Sequence, residues 1–523
     1  MTTELAIAGW GDPSRRTGLP PHAADWLRRE IGRTKPSRPV PIRPAPGQLS
    51  DADRAALADV VGPDNVRTDD TSRIRCAAGR SYLDLLALRG GVVHAPDAVV
   101  VPGSAEEVRA VLAACAERRI AVVPFGGGTS VVGGVAPLRG SFDSVVALDL
   151  QRLDRLLAVD EESLTATFEP GVRGPAAEAL LNARGLTLGH FPQSHEYASL
   201  GGYAATRSSG QASTGYGRFD ELVVALVVQT PAGELRLGRG AASAAGPDLR
   251  ALLLGSEGAF GVITELSVRI RRLADAPHYE AFFFRRWQSG VAALRELEQQ
   301  RLAPDVARLS DDDETRVQLA LSGASRIQRV FLHGRRATCL AILGWDDVDA
   351  VRRKKAVAVV RRHGGFSVGK SAAEKWKHGR YDGPYLRDDL LDAGVLVETL
   401  ETSAHWSSLI ATHTAVRSAL QTALPGAIVM CHVSHLYAHG ASLYFTVIGR
   451  PGDDPVAQWQ RAKRAAGDAL VASGATITHH HAVGTDHLPW MTDEIGPLGV
   501  DVLRAVKAVL DPAGILNPGK LIP

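Results

Sequence analysis

Pro124-Phe125-Gly126-Gly127-Gly128-Thr129-Ser130 follows the apolar run Ile120 to Val123 and leads into a second glycine pair, Gly133-Gly134. The run reads as a buried strand, and the triplet after it leaves backbone N–H groups bare and closely spaced. Such a nest can wrap a diphosphate, because no β-carbon stands between backbone and ligand. A tight turn also uses glycine, and for an isolated triplet it is the commoner explanation. Two further stretches shift the balance. His190 to Gly202, continuing through Thr206-Arg207-Ser208-Ser209-Gly210, is rich in small and hydroxyl residues without apolar periodicity, as expected of a long ordered loop lining something polar. Gly255-Ser256-Glu257-Gly258-Ala259-Phe260-Gly261-Val262-Ile263 then joins a short helix to a strand. Three such loops exceed what turns require and point to a nucleotide cofactor.

Spacing excludes the better-known dinucleotide fold. A Rossmann fingerprint sets G-x-G-x-x-G between a first strand and a helix, with an acid about 20 residues on; here the triplet opens no helix. The loop order instead resembles the flavin-binding domain of the vanillyl-alcohol-oxidase family, the PCMH-type FAD domain. In that family the diphosphate lies along P-x-G-G-G-T-S, while an S/T-x-G-G loop and a G-S-E-G-x-x-G-V-I-T-E stretch close over flavin and adenine. The resemblance implies FAD held by Pro124, Phe125, Gly126, Gly127, Gly128, Thr129 and Ser130. It adds Gln193, Ser194, His195, Glu196, Tyr197, Ala198 and Ser199, then Thr206, Arg207, Ser208 and Ser209, and finally Glu257, Gly258, Ala259, Phe260, Gly261, Val262 and Ile263. His190 and His195 lie in a cofactor loop and leave covalent attachment open; the resemblance favours non-covalent FAD.

At 523 residues the chain suits two or three domains. Its 59 basic and 57 acidic residues nearly cancel, so no basic field is available for nucleic acid. Cys76, Cys115, Cys339 and Cys431 lie far apart with no C-x-x-C pair. That argues against a disulfide framework or zinc ribbon and fits buried small hydrophobes in a reducing compartment. No apolar stretch reaches the about 18 residues of a membrane span, the N-terminus lacks a signal-peptide pattern, and Leu521-Ile522-Pro523 is not the S-K-L address. A soluble, cytoplasmic protein is expected.

The elements suggest an α+β fold, a PCMH-type FAD-binding domain with an α+β cap domain over the flavin. An extended and helical N-terminal region covers 1–92, with five prolines between 34 and 49; the FAD domain covers 93–275, the cap 276–497, and 498–523 returns to the FAD domain. Within the FAD domain Ala98 to Val101 reads as a strand and Ser104-Ala105-Glu106-Glu107 as a capping box opening a helix. Glu221 to Thr230 and Glu234 to Leu237 read as a hairpin. In the cap, strands at 279–284, 339–345, 395–400, 427–432 and 442–448 alternate with helices at 291–300, 348–362, 406–420 and 455–472, and 370–384 reads as irregular.

His479-His480-His481 is the second outlying feature. On a strand, His479 and His481 would face one side and His480 the other. A metal cluster or a polar turn are the alternatives, but no carboxylate or cysteine stands at ligand spacing. Imidazole titrates near neutrality, so acid–base or substrate-positioning work ranks above metal binding, and no metal is expected.

Further motifs resemble the alkyldihydroxyacetonephosphate synthase family over nearly the full length. The family's H-H-H-x-V-G run matches His479 to Gly484, its E-T-S-A-x-W matches Glu401 to Trp406, and its Y-x-R-D matches Tyr385 to Asp388. An x-R-L-x-D segment matches Ala307 to Asp311, G-A-x-x-Y-F matches Gly440 to Phe445, and G-W-G matches Gly9-Trp10-Gly11. The resemblance implies Arg387 as ligand of the substrate phosphate, Tyr444 as the catalytic tyrosine, His479, His480 and His481 as an essential histidine run, and Arg308 as an arginine on which activity depends. Taken alone, Arg387 would read as a surface ion pair and Tyr444 as core packing.

The implied reaction exchanges the acyl chain of acyl-dihydroxyacetone phosphate for a long-chain fatty alcohol through a flavin N5 covalent adduct, with no net oxidation. Both lipid tails call for an apolar tunnel, placed in the cap, and for transient membrane contact; a homodimer is expected. The chain departs from the family pattern at Cys431-His432-Val433-Ser434-His435, where C-R-V-T-Q is usual, and at Ala482, where glycine is usual. Asn517-Pro518-Gly519-Lys520 looks more like FAD-dependent D-2-hydroxyacid dehydrogenases of the D-lactate or glycolate type. That alternative lacks support at His480-His481-Ala482-Val483-Gly484, where those enzymes carry G-E-H-G-x-G. A scaffold with a binding role is the third reading.

Overall fold

The computed structural model describes residues 5–321, 338–346 and 350–523. Among them, strands β1 (Val66–Arg67), β2 (Ala98–Val100), β3 (Ile120–Phe125) and β4 (Ser144–Asp149) form one sheet in the order β1-β2-β4-β3. β3 and β2 both run parallel to β4. Their continuous apolar runs follow from burial on both faces. The helix Ala105–Glu117 crosses between β2 and β3, capped by Ser104 Oγ accepting from Glu107 N–H at 3.1 Å. Glu107 reaches back to Gly103 N–H at 2.7 Å instead of Ser104, so only half of the expected capping box forms.

The second sheet is antiparallel, with β5 (Leu156–Asp160), β6 (Thr165–Phe168), β8 (Val223–Thr230), β9 (Gly233–Leu237) and β10 (Val262–Arg269) in the order β5-β6-β10-β8-β9. Two short strands, β7 (Leu186–Thr187) and β11 (Arg271–Arg272), pair beside it. The β8–β9 hairpin lies as expected, except that Phe219–Leu222 is a helical turn.

The third sheet carries β12 (His278–Phe284), β13 (Val306–Ser310), β14 (Cys339–Trp345), β15 (Phe366–Gly369), β16 (Leu396–His405), β17 (Ile428–Tyr437) and β18 (Gly440–Gly449), ordered β15-β12-β14-β13-β17-β18-β16. One face, with Leu309, Cys431, Val433, Leu443 and Phe445, is covered by helices that include Leu409–Ala423 and Pro455–Ala472. Because side chains alternate across a strand, the residues between these point to the other face, which the site uses. Parallel and antiparallel sheets with segregated helices make the fold α+β, and the four cysteines are free and buried.

Three expectations are corrected. Residues 370–384 are not irregular: helices occupy Ser371–Gly379 and Gly383–Asp392, the second with Pro384 in its first turn, where no N–H is needed. The loop after His190 is interrupted by a helix, Leu200–Thr206, capped by Ser199. β16 runs to His405, so the following helix starts at Leu409 instead of Trp406. The expected helix start at Val348 lies outside the described residues.

The chain's end returns to the glycine loop. Leu516 bridges Val122, and Asn517 N–H donates to Val122 O at 2.8 Å. Ile477, Val483, Trp490 and Met491 pack into the core of the second sheet, and the helix Met491–Leu510 kinks at Gly496-Pro497. No helix among the described residues is long and apolar enough to cross a membrane.

Candidate active site

A cavity of about 520 Å³ lies where the glycine loop, the 192–211 and 256–263 segments and the open face of the third sheet meet. The N–H groups of Gly126, Gly127, Gly128 and Thr129 donate to no acceptor among the described residues. A β-carbon on Gly127 would lie 2.7 Å from Ala198 Cα, and Gly128 holds φ +66°; the nest requires glycine at both. Ser130 Oγ accepts from Gly134 N–H at 3.0 Å and Ser199 Oγ from Gly202 N–H at 3.2 Å. Both hydroxyls thereby brace the loops and keep their own protons to donate.

The sheet face contributes a row of side chains. Glu401 on β16, Tyr444 on β18 and His432 on β17 are direct cross-strand partners, and Arg308 lies on β13 two residues before Ser310, the partner of His432. The Tyr444 ring stacks between His432 (centroids 5.0 Å, 21°) and His480 (6.1 Å, 22°), with His481 edge-on at 5.5 Å. Burial pushes the Tyr444 phenol up to about 12, so it carries its proton at neutral pH.

The Arg308 guanidinium lies within 3.1 Å of both His432 ring nitrogens and donates to Glu314 Oε1 at 2.6 Å. Burial opposes ionisation of Glu314, but Arg308 and then His432 outweigh it and hold the carboxyl at about 2 against an ordinary 4.5. A depressed carboxyl stabilises the fold in its ionised form. The contribution, on the order of 3 kcal/mol, is present above pH 4.5 and lost as pH falls towards 2. Glu314→Gln is therefore expected to lower the urea midpoint at pH 7 and to change it much less at pH 3.

The histidine run is not a strand. Glu401, fully buried, gathers it by accepting from the backbone N–H of His479 (2.8 Å), His480 (3.2 Å) and His481 (3.0 Å) and from Thr478 Oγ1 (2.5 Å). Burial works against the Glu401 charge, yet the imidazoles beside it, His480 first, hold it well below the carboxylate range. Two residues on, Glu257 Oε1 and Oε2 accept from Val483 N–H and Gly484 N–H, both at 2.8 Å. Burial pushes Glu257 up to about 7.

Between these two clamps Ala482 is forced to φ +72°. An L-residue there costs about 1–2 kcal/mol, of which glycine's freedom in the unfolded chain takes back about 0.5–1. Ala482→Gly is expected to raise the melting midpoint of the FAD-loaded enzyme by about 1 °C, read by flavin fluorescence. An unchanged or lower midpoint would contradict the strain.

Arg387, in the helix Gly383–Asp392, lines the cavity. Its Nη1 donates to Arg80 O at 2.6 Å, while Nε and Nη2 are buried without a hydrogen-bond partner, Nε lying 4.0 Å from Asp388 Oδ1. Trp10 lines the same cavity with its indole N–H also unpartnered, anchored by its backbone N–H to Asp388 Oδ2 at 2.6 Å. Arg80 ties this N-terminal strap down, donating to the carbonyls of Ala6 (3.0 Å) and Gly9 (2.9 Å).

Residues 96–238 match the family described as FAD binding domain, and residues 273–521 the family described as FAD linked oxidases, C-terminal domain. The chain is similar to an alkyldihydroxyacetonephosphate synthase of Dictyostelium discoideum, 34% identical over 88% of this chain and 79% of that one. The chain belongs to the alkyldihydroxyacetonephosphate synthase family. A Trypanosoma brucei brucei synthase is 33% identical over 89% of this chain and 80% of its own length. A solved structure of an alkyldihydroxyacetonephosphate synthase superposes with a TM-score of 0.84 at 28% identity, covering 99% of each chain. Like the other members it is an FAD-dependent enzyme with a PCMH-type fold, and the acceptor-free nest at 126–129 fits a diphosphate.

The predicted residues divide around the cavity. Pro124 to Ser130, Gln193, Ser194, Ala198, Ser199, Thr206, Ser208, Ser209, Glu257, Gly258, Gly261, Val262 and Ile263 line it, as do Tyr444, His480, His481, Arg308 and Arg387. His195 turns away to stack on Tyr381 at 5.3 Å, Glu196 pairs with Arg15, and Tyr197 meets the Tyr385 hydroxyl at 3.2 Å. Arg207 donates to the Leu254 carbonyl at 2.9 Å, and Ala259 and Phe260 sit in the core of the second sheet. His479 is held off the cavity wall, its Nε2 2.5 Å from the Tyr437 hydroxyl. Glu401, Glu257 as loop clamp, Glu314 and Trp10 are the positions whose roles sequence reading missed. For Glu401 the available signal was a pair of acids, Glu398 and Glu401, inside an otherwise apolar and hydroxyl-bearing run.

Proposed function

We propose that the enzyme exchanges the acyl chain of acyl-dihydroxyacetone phosphate for a long-chain alcohol, releasing a fatty acid and forming an ether. The observation that carries this reading is the meeting, in one cavity, of the diphosphate nest, the Tyr444–His480–His481 group and the unpartnered N–H groups of Arg387. Bound FAD supplies the electron sink that lets the carbon–oxygen bond be exchanged without net oxidation.

The chain's own residues bind, orient and move protons. Arg387, joined by the Trp10 indole, receives the phosphate as a fixed donor set. The cavity also carries Val317, Leu321, Leu386, Leu390, Met430 and Ile448, an apolar stretch suited to the alkyl tails. His480, beside His481, which burial holds neutral, accepts the C1 proton of the substrate and gives it back to C1 once the ether bond has formed. Tyr444, protonated and stacked beside them, returns a proton as the carboxylate leaves and takes one from the incoming alcohol. Arg308 supplies the cation of this wall, with His432 and Glu314 fixing its fork. Neither His190 nor His195 is among the cavity-lining residues, which supports non-covalent FAD.

Purified FAD-loaded enzyme given palmitoyl-dihydroxyacetone phosphate and hexadecanol should release palmitate and form the ether with the flavin spectrum unchanged at the end. Bleaching by D-lactate or glycolate with no ether formed would overturn the reading in favour of a hydroxyacid dehydrogenase.

A further inference from the structure

His435 stands on β17 where the family motif carries glutamine, and its ring joins the histidine run from the sheet side. It stacks on His479 (centroids 5.2 Å, 26°) and meets His480 edge-on at 5.8 Å. One ring nitrogen from each of His435, His479 and His480 lies within 4.8 Å of the others. His479 Nδ1 and His480 Nδ1 are 3.0 Å apart, and Glu401 Oε2 is 3.4 Å from His480 Nδ1 and 3.9 Å from His479 Nδ1. Ligands about 2.0–2.1 Å from a tetrahedral cation are separated by about 3.3 Å, close to the 3.0 Å between His479 and His480 and the 3.4 Å between His480 and Glu401.

Two further observations point to a ligand here. His435, 4% exposed, has an Nδ1 that is buried with no hydrogen-bond partner, and orphaned buried polar atoms of this kind are uncommon. The Nε2 of His479 is held by the Tyr437 hydroxyl at 2.5 Å, which turns its Nδ1 towards His480 Nδ1 and the Glu401 carboxylate as the ligand atom. That is the outer-shell bond which orients a ligating imidazole. His435 and His480 both line the cavity, so a cation at this place keeps a coordination position open towards it.

We propose that His435, His479 and His480, backed by the Glu401 carboxylate, form a binding site for a divalent cation of the zinc class in the wall of the cavity. The proposed exchange needs no such ion. Occupation ties up the His480 lone pair, so the cation acts as an inhibitor, a consequence that rests on the proton-transfer role given to His480 above. Sequence spacing hid the site because its third imidazole and its carboxylate come from two other strands.

The test is equilibrium dialysis of the FAD-loaded enzyme against Zn2+, with Co2+ as an optical probe at wavelengths beyond the flavin band. One ion per chain and tetrahedral Co2+ absorption are expected in the natural protein. His435→Gln, which installs the family residue, should weaken Zn2+ binding by at least about 100-fold, and Tyr437→Phe by about 10–100-fold through loss of the orienting bond. Retained flavin absorbance and melting midpoint show that each variant is folded. Equal affinity in the natural protein and both variants, or no Zn2+ bound by the natural protein, would overturn the site. Stoichiometric binding that leaves ether formation unchanged would overturn the inhibition and the role of His480 without touching the site.

Discussion

Tyr444→Phe is expected to lower kcat for alkyl exchange by about 10²–10⁴-fold while FAD stays bound. The phenol is the protonated group stacked between His432 and His480, and its removal deletes a proton donor without opening a cavity, because the ring remains. Its hydroxyl is not part of the glycine nest, so flavin absorbance and reconstitution should match the natural protein. The measurement is single-turnover release of palmitate beside a flavin spectrum. A loss smaller than about tenfold would remove Tyr444 from the chemistry, and loss of FAD would make it structural.

Arg387→Met is expected to act differently, raising KM for acyl-dihydroxyacetone phosphate. Truncating one partner of a buried charge pair costs about 2–5 kcal/mol, or about 30- to 5000-fold in kcat/KM. Two buried guanidinium nitrogens without a hydrogen-bond partner are what a dianionic head group would satisfy. Methionine keeps the stem and its packing. The discriminating readout is inhibition by inorganic phosphate or dihydroxyacetone phosphate, which should vanish in the variant while hexadecanol dependence stays put. Unchanged phosphate inhibition would place the head group elsewhere, with Arg308 the next donor to test.

The glycine nest could be read in advance because it is local: a run of backbone N–H groups free of β-carbons must be written as consecutive glycines. Tyr444 and Arg387 became visible only through motif resemblance, since a tyrosine before Phe445 in a strand reads as core. Glu401 escaped for a physical reason. Its partners are backbone N–H groups 78 to 80 residues away, and a main-chain donor has no signature in side-chain identity. The Arg308–His432 contact spans 124 residues and depends on the order in which β13, β17 and β18 pair, which no local pattern sets. The helices at Ser371–Gly379 and Gly383–Asp392 were masked by Gly379, Gly383 and Pro384, which read as breakers although they sit at helix ends.

The two carboxylates that grip the histidine run come from different bodies: Glu401 from a strand of the third sheet, Glu257 from the segment ahead of β10. The turn between them is therefore a rivet through both layers, and Asn517, donating to the Glu257 carbonyl at 2.6 Å, locks its head. A chamber riveted in this way does not open like a jaw at each turnover. The strap around Trp10 closes the chamber on the side this rivet does not reach, and it is tied there separately by Arg80 and Asp388.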